Sequence, residues 1–201
     1  MDKIFKQSYK LGMTQEKEEI LGLYDFVKKL EPYNIMEIGT KLGGTFNLWC
    51  NLANMNGKKI SIDLPGGEHG GWMLKDHPYL GNVYEQRNKY FESNFDNVHM
   101  ITGDSHSTEV ALEVSQILET DKLDFLFIDG DHTYEGILSD YVNYSNYVKK
   151  GGYIAFHDIN DTEHHRKINV NVAKLWNQLK GEKTEFNNHT HWAGIGVIRH
   201  E

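Results

Sequence analysis

The chain has 201 residues, enough for one domain with a sizeable core, and 39% hydrophobic with 12% aromatic content excludes a disordered chain. A net charge of −8 speaks against sequence-independent binding of nucleic acid, which needs basic surface for phosphates. No apolar run approaches a membrane span, the opening Met1-Asp2-Lys3-Ile4-Phe5-Lys6 has no signal-peptide core, and the single Cys50 excludes an internal disulfide and a cysteine-based zinc site. The expectation is a cytoplasmic protein with neither nucleic acid nor membrane as partner.

Residues 1–15 give no firm element. Ile20, Leu23, Tyr24, Val27 and Leu30 have helical spacing across Glu16–Glu31, and Pro32 marks the end. Asn34–Ile38 reads as a first strand, followed by Gly39-Thr40-Lys41-Leu42-Gly43-Gly44. Thr45–Met55 reads as a helix burying Phe46, Trp49, Cys50 and Ala53, stopped by Gly57. Lys59–Leu64 is a second strand with Asp63 near its end. Pro65–Gly81 holds five glycines, two prolines, His69, Trp72 and His77, the composition of a functional loop rather than a connector. Asn82–Phe91 is a predicted helix, Val98–Thr102 a third strand ending in Gly103-Asp104-Ser105, Ser107–Glu119 a helix and Leu123–Ile128 a fourth strand. Thr133–Val148 is predicted as a helix ending at Lys149-Lys150, where the helix dipole favours cations. Gly151-Gly152 turns into a fifth strand, Tyr153–Phe156, closed by His157-Asp158. A helix carrying Val172, Leu175, Trp176 and Leu179 follows, and Thr184–Phe186 and Gly194–Arg199, with no helix between them, predict an antiparallel pair. The alternation implies an α/β fold: one domain over residues 1–201, a doubly wound sheet of about seven strands, mostly parallel, with helices on both faces and a helical N-terminal extension over residues 1–31.

Four parallel strands each deliver polar residues to one edge: Glu37 and Gly39, Asp63, Asp104, and Asp129. In open α/β sheets that edge binds ligands. The glycine turn lacks the Gly-Lys-Ser/Thr of a P-loop, and Lys41 stands where Gly-x-Gly-x-x-Gly has its middle glycine. Asp63 suits the hydroxyls of a ribose. Asp129 with His157 and Asp158, from neighbouring strand ends, offers two carboxylates and an imidazole to a divalent ion. His69, His77, His164, His165, His189 and His191 are rival ligands. A tight strand–helix turn at Gly39–Gly44, and His157-Asp158 as loop caps, are the plainer alternatives.

Glu37-Ile38-Gly39-Thr40 with Gly43-Gly44-Thr45, Ile62-Asp63-Leu64, Phe127-Ile128-Asp129-Gly130-Asp131-His132 with Tyr134 and Asp140, and Gly151-Gly152-x-Ile154-Ala155-Phe156-His157-Asp158 together resemble class I S-adenosylmethionine-dependent methyltransferases. The nearest likeness is to metal-dependent small-molecule O-methyltransferases of the cephalosporin-hydroxylase and macrolide-sugar type. The resemblance runs from about Glu16 past Phe156. It implies a Rossmann-like fold with an antiparallel last strand, S-adenosylmethionine and a magnesium-like ion as cofactors, and a small hydroxylated acceptor such as a sugar or natural product. Glu37, Gly39, Thr40, Gly43 and Gly44 would then approach the methionine part of the cofactor. Asp63 would hold the ribose, and Gly103, Asp104 and Ser105 would lie by the adenine. Asp129 would serve both cofactor and metal, with His157 and Asp158 completing the metal site. His157 departs from relatives, which carry an acid there. His132 would be the catalytic base, with Asp131 orienting it, and the 65–81 loop would cover donor and acceptor. The loosely patterned N-terminus is a candidate surface for a homo-oligomer. Three rivals stay open: a nicotinamide oxidoreductase, which Lys41 argues against; an iron hydroxylase, prompted by His157-Asp158; and a binding domain without catalysis.

Overall fold

A computed structural model describes residues 3–64, 80–187 and 193–201. Most of the predicted 65–81 loop, with His69, Trp72 and His77, lies outside the described residues, as do His189 and His191. Strands β1 (Ile35–Ile38), β2 (Lys59–Asp63), β3 (Val98–Thr102), β4 (Leu123–Ile128), β5 (Val148–His157), β6 (Lys183–Phe186) and β7 (Ile195–Arg199) form one sheet in the order β3-β2-β1-β4-β5-β7-β6. β1 to β5 are parallel. β7 runs antiparallel to both β5 and β6. The apolar runs form strands because both faces of the sheet are covered, so nearly every side chain of β1 and β4 is buried.

Register sets the site. Ile38 lies beside Ile62 on one side and Ile128 on the other, and Ile128 lies beside Phe156. The strand ends are therefore level, and the residues that follow emerge along one rim. Strand order reverses between β1 and β4, so this rim has its crevice at Gly39 and Asp129.

Helices α1 (Lys3–Lys10), α2 (Lys17–Leu30), α3 (Gly44–Leu52) and α4 (Leu80–Asn94) supply Phe5, Leu23, Trp49 and Phe91 to a core on one face, against Phe125 and Phe127. On the other face α5 (Thr108–Leu118), α6 (Tyr134–Tyr144) and α8 (Val172–Gln178) pack Val114, Ile137 and Trp176 against Ile62, Leu126 and Phe156. The short α7 (Glu163–Lys167) follows β5. Cys50 is buried in the first core. Among the described residues no helix is long and apolar enough to cross a membrane.

Two helix ends need correction: the helix read as Thr45–Met55 and stopped by Gly57 already ends at Leu52, with Ala53 as its cap. The helix read as Thr133–Val148 ends at Tyr144, a 3-10 turn covers Ser145–Tyr147, and Val148, Lys149 and Lys150 already belong to β5. Val148 pairs with Leu123, and the register shifts before Tyr153 pairs with Phe125. Gly151 takes a left-handed φ of +76°, and a Cβ on Gly152 would sit 2.8 Å from Val148, so the two glycines permit an irregularity inside the strand rather than a turn before it. Lys149 pairs with Asp124 across the strands instead of capping a helix. The N-terminal residues, which gave no firm reading, form α1, tied to α3 by Asn47 Nδ2 donating to Ser8 Oγ at 2.9 Å.

Candidate active site

At Gly39 the backbone has φ +88°, and a Cβ there would lie 2.1 Å from the Asp129 carbonyl oxygen. Only glycine lets the ends of β1 and β4 meet this closely. The turn then delivers Gly43 as the cap of α3, without a side-chain hydrogen bond, leaving the first amides of that helix for a ligand. Ser61 donates to Thr40 Oγ1 at 2.7 Å, and Thr45 donates to Gln15 Oε1 at 2.7 Å. Glu37 is buried beneath the turn. Burial pushes its carboxyl well up, and the charge of Asp129 adds to that.

Asp63 ends β2 and is held by Arg87 of α4, whose Nη1 lies 2.5 Å from Asp63 Oδ2. The same nitrogen donates to the Lys41 carbonyl at 2.5 Å. Burial pushes the Asp63 carboxyl up; the guanidinium pulls part of that back. On the next strand, Gly103 N–H donates to the Asp63 carbonyl at 3.0 Å. Asp104 Oδ1 accepts from the His106 N–H at 2.9 Å, and the Ser105 carbonyl accepts from Tyr144 Oη at 2.7 Å. Behind them lies the fully buried Asp140, its Oδ1 3.4 Å from His106 Nε2; this contact raises the His106 imidazole.

Across the crevice stands an acid–imidazole cluster. His132 Nδ1 lies 2.9 Å from Asp158 Oδ2, and its Nε2 lies 3.3 Å from Asp129 Oδ1. His157 Nδ1 stands 3.1 Å from both Asp129 Oδ1 and Asp158 Oδ1, yet is aligned with neither for a hydrogen bond. Gln15 Nε2 donates to Asp129 Oδ2 at 2.8 Å. Burial alone would lower His132 and raise the acids, but the charges face one another and outweigh it. His132 is pushed up to about 10, Asp129 is pulled down to about 2, Asp158 falls and His157 rises. At neutral pH this is a set of ion pairs. Asp158 has φ +62°, an uncommon conformation for a residue with a side chain.

The sequence-predicted residues thus gather on one rim, with one exception in orientation. Asp131 does not face the His132 imidazole: its Oδ1 accepts from the Thr133 N–H at 2.8 Å at the start of α6, and the partners of His132 are Asp129 and Asp158. Sequence reasoning missed Gln15, Arg87 and the burial of His165, whose Nδ1 lies 2.6 Å from the Asn160 carbonyl and whose Nε2 is 3.9 Å from Asp158 Oδ1. A signal existed for Arg87, which stands four residues before Phe91 on one face of its helix.

The cluster has donor types that suit a hard or borderline divalent ion, and His157 Nδ1 and Asp158 Oδ1 are buried without a hydrogen-bond partner among the described residues. As they stand, no three His, Cys, Asp or Glu side chains among the described residues are arranged to hold one. An ion enters this arrangement only if an imidazole leaves its carboxylate.

A seven-stranded sheet in this order, with an antiparallel β7 and a glycine turn at the strand-order reversal, is the fold of the class I S-adenosylmethionine-dependent methyltransferases. The comparisons with known proteins agree. A family model described as a methyltransferase domain matches residues 36–159, more than half of the chain, and the chain belongs to that family. An uncharacterised protein of Acanthamoeba polyphaga mimivirus is 39% identical over 153 residues, 74% of this chain; the chain spans 61% of that relative's length. The O-methyltransferase from Bacillus cereus, solved in complex with S-adenosylhomocysteine, superposes with a TM-score of 0.61 at 14% identity, covering 99% of this chain and 91% of that one. The O-methyltransferase TomG from Streptomyces achromogenes, in complex with S-adenosylmethionine, gives 0.60 at 10% identity over 100% and 91%. At these identities the two likenesses are of fold.

Proposed function

We propose that the protein transfers a methyl group from S-adenosylmethionine to a hydroxyl of a small acceptor, sugar-like or natural-product-like, in a cytoplasmic setting. The observation that carries this reading is the level rim: the glycine turn, Asp63, Asp104 and the cluster around Asp129 follow strands in register along one edge of the sheet. In this reading the uncapped start of α3, with Gly39, Thr40, Gly43 and Gly44, receives the amino-acid end of the cofactor, and Glu37 supports the turn from below. Asp63 accepts from the ribose, and Gly103, Asp104 and Ser105 border the adenine.

Transfer breaks the bond between sulfur and the methyl carbon and forms one between that carbon and the acceptor oxygen. The hydroxyl proton has to leave, and His132 is the group to take it. Its imidazole carries a proton while both flanking carboxylates are ionised. Only the neutral, minor form of the imidazole accepts a proton, so methyl transfer is expected to speed up as pH climbs toward about 10. Asp129 and Asp158 hold the ring, and Asp131 serves by fixing the start of α6 next to it.

Asp129, His157 and Asp158 are the residues that would hold a divalent ion, and the unpartnered buried atoms of the last two support this finer reading. When bound, such an ion, magnesium in the simplest case, would lower the pKa of an acceptor hydroxyl and fix its approach.

Calorimetric titration with S-adenosylhomocysteine tests the donor. Binding by the native protein, weakened by Asp63→Ala, is expected; no binding by the native protein overturns the reading. Methyl transfer from labelled S-adenosylmethionine to a panel of hydroxyl compounds tests the reaction. Loss of turnover with EDTA and on Asp129→Ala, with donor binding kept under EDTA and largely kept in Asp129→Ala, is the result expected for metal assistance. Turnover untouched by both removes the metal and leaves proton transfer to His132.

A further inference from the structure

Arg87 is 3% exposed, and its donors are unevenly used. Nε donates to Asn88 Oδ1 at 3.0 Å, and Nη1 serves both Asp63 Oδ2 and the Lys41 carbonyl. Nη2 is buried with no partner among the described residues. The guanidinium lies over the Tyr84 ring, 4.7 Å from its centre. The helix that carries it is seated on the glycine turn: a Cβ on Gly43 would lie 2.4 Å from the Phe91 ring and 3.4 Å from Arg87 Cγ.

A buried cationic nitrogen with nothing to bond is costly, and such groups are few in native proteins. The neighbouring carboxylate is half spoken for. Asp63 Oδ2 is taken by Arg87. A ribose brought to Asp63 presents two adjacent hydroxyls, each able to donate and to accept.

We propose that Arg87 is one half of a split ribose clamp: one hydroxyl donates to the Asp63 carboxylate, and the oxygen of the other accepts from Arg87 Nη2. This rests on the reading of Asp63 as the ribose acceptor. It assigns a cofactor-binding role to a helix α4 residue that also orients Asp63.

The test titrates S-adenosylhomocysteine and its 2′-deoxy and 3′-deoxy forms into the native protein, Arg87→Met and Arg87→Lys. In the native protein, loss of the hydroxyl that meets Arg87 weakens binding about tenfold or more, as expected for a hydrogen bond to a charged group. In Arg87→Met the same deletion changes affinity by much less than that, because its partner is gone. Should Arg87→Met fail to fold, Arg87→Lys keeps a charge beside Asp63 while removing Nη2, and the same loss of discrimination is expected. A role confined to seating α4 on the glycine turn predicts something else: the variants weaken the parent and both deoxy ligands by one common factor. That result overturns the proposal while leaving the donor reading intact. A native protein that binds no S-adenosylhomocysteine removes both.

Discussion

His132 shows how much a single residue's surroundings decide. Between Asp129 and Asp158 its imidazole is pushed up to about 10 from an ordinary 6.5. A group whose folded pKa is raised lends stability fully below its unfolded pKa and loses it as pH climbs through the folded value. The stability gap between native protein and His132→Gln is therefore expected to be largest at mildly acidic pH, to persist at pH 7 to 8 and to close toward pH 10. Asp129, pulled down to about 2, does the opposite: its contribution holds above about 4 and fades as pH falls toward 2. Urea unfolding midpoints across pH 5 to 10.5 check the first; a gap that widens toward alkali contradicts it. Lys59 is a second residue with a readable consequence. Its buried Nζ donates to the carbonyls of Asn54, Met55, Gly57 and Asp96, at 3.0, 3.2, 2.9 and 3.0 Å. Lys59→Met leaves these acceptors without their donor and is expected to cost about 3 kcal/mol in urea unfolding, with affinity for S-adenosylhomocysteine held. At this scale the sequence exposed residues adjacent along the chain better than partners across it. Asp129, Asp131 and His132 were visible as a group. That Asp131 turns away to Thr133 depends on helix capping at α6, and that Gln15 reaches Asp129, 114 positions away, depends on the folded sheet.

Strands were the most legible elements, because a buried parallel strand is an apolar run and each ended in a polar residue where the sheet rim begins. Helix ends were less so. The helix reads through Val148 because Lys149-Lys150 suit a helix C-terminus, yet Val148 is drawn into the sheet by pairing with Leu123. Likewise α1 has a polar composition, and its order comes from packing on α3. The seat of α4 on the glycine turn gives a prediction at this scale. Gly43 has φ +90°, and its missing Cβ makes room for the Phe91 ring. Gly43→Ala adds backbone strain and a clash and is expected to lower stability by roughly 1–3 kcal/mol. By moving α4 it also displaces Arg87 from Asp63, so S-adenosylhomocysteine binding weakens as well. A destabilised variant with native affinity would separate the turn from the donor site.

For the whole molecule the consequence lies in where the crevice falls. Asp63 belongs to the half of the sheet built by β1, β2 and β3, and Asp129, His132 and Asp158 to the half built by β4 and β5; the halves join at the β1–β4 ladder. A donor bound across the glycine turn as proposed would touch both. Binding to the folded state alone stabilises it by about 2.7 kcal/mol at a ligand concentration of 100 times Kd, which for a chain of this length shifts Tm upward by roughly 5–10 °C. One cooperative transition moving by that amount is expected in a thermal scan with S-adenosylhomocysteine, with amide exchange slowed at the ends of both β2 and β4. Asp63→Ala should shrink the shift, because it removes a donor contact. His132→Gln should keep it, because in the proposed reading that side chain serves the acceptor's proton and not the donor. A shift lost in His132→Gln and kept in Asp63→Ala would reverse the assignment of the two sides of the rim, since the donor would then lean on the cluster and the ribose carboxylate would stand idle.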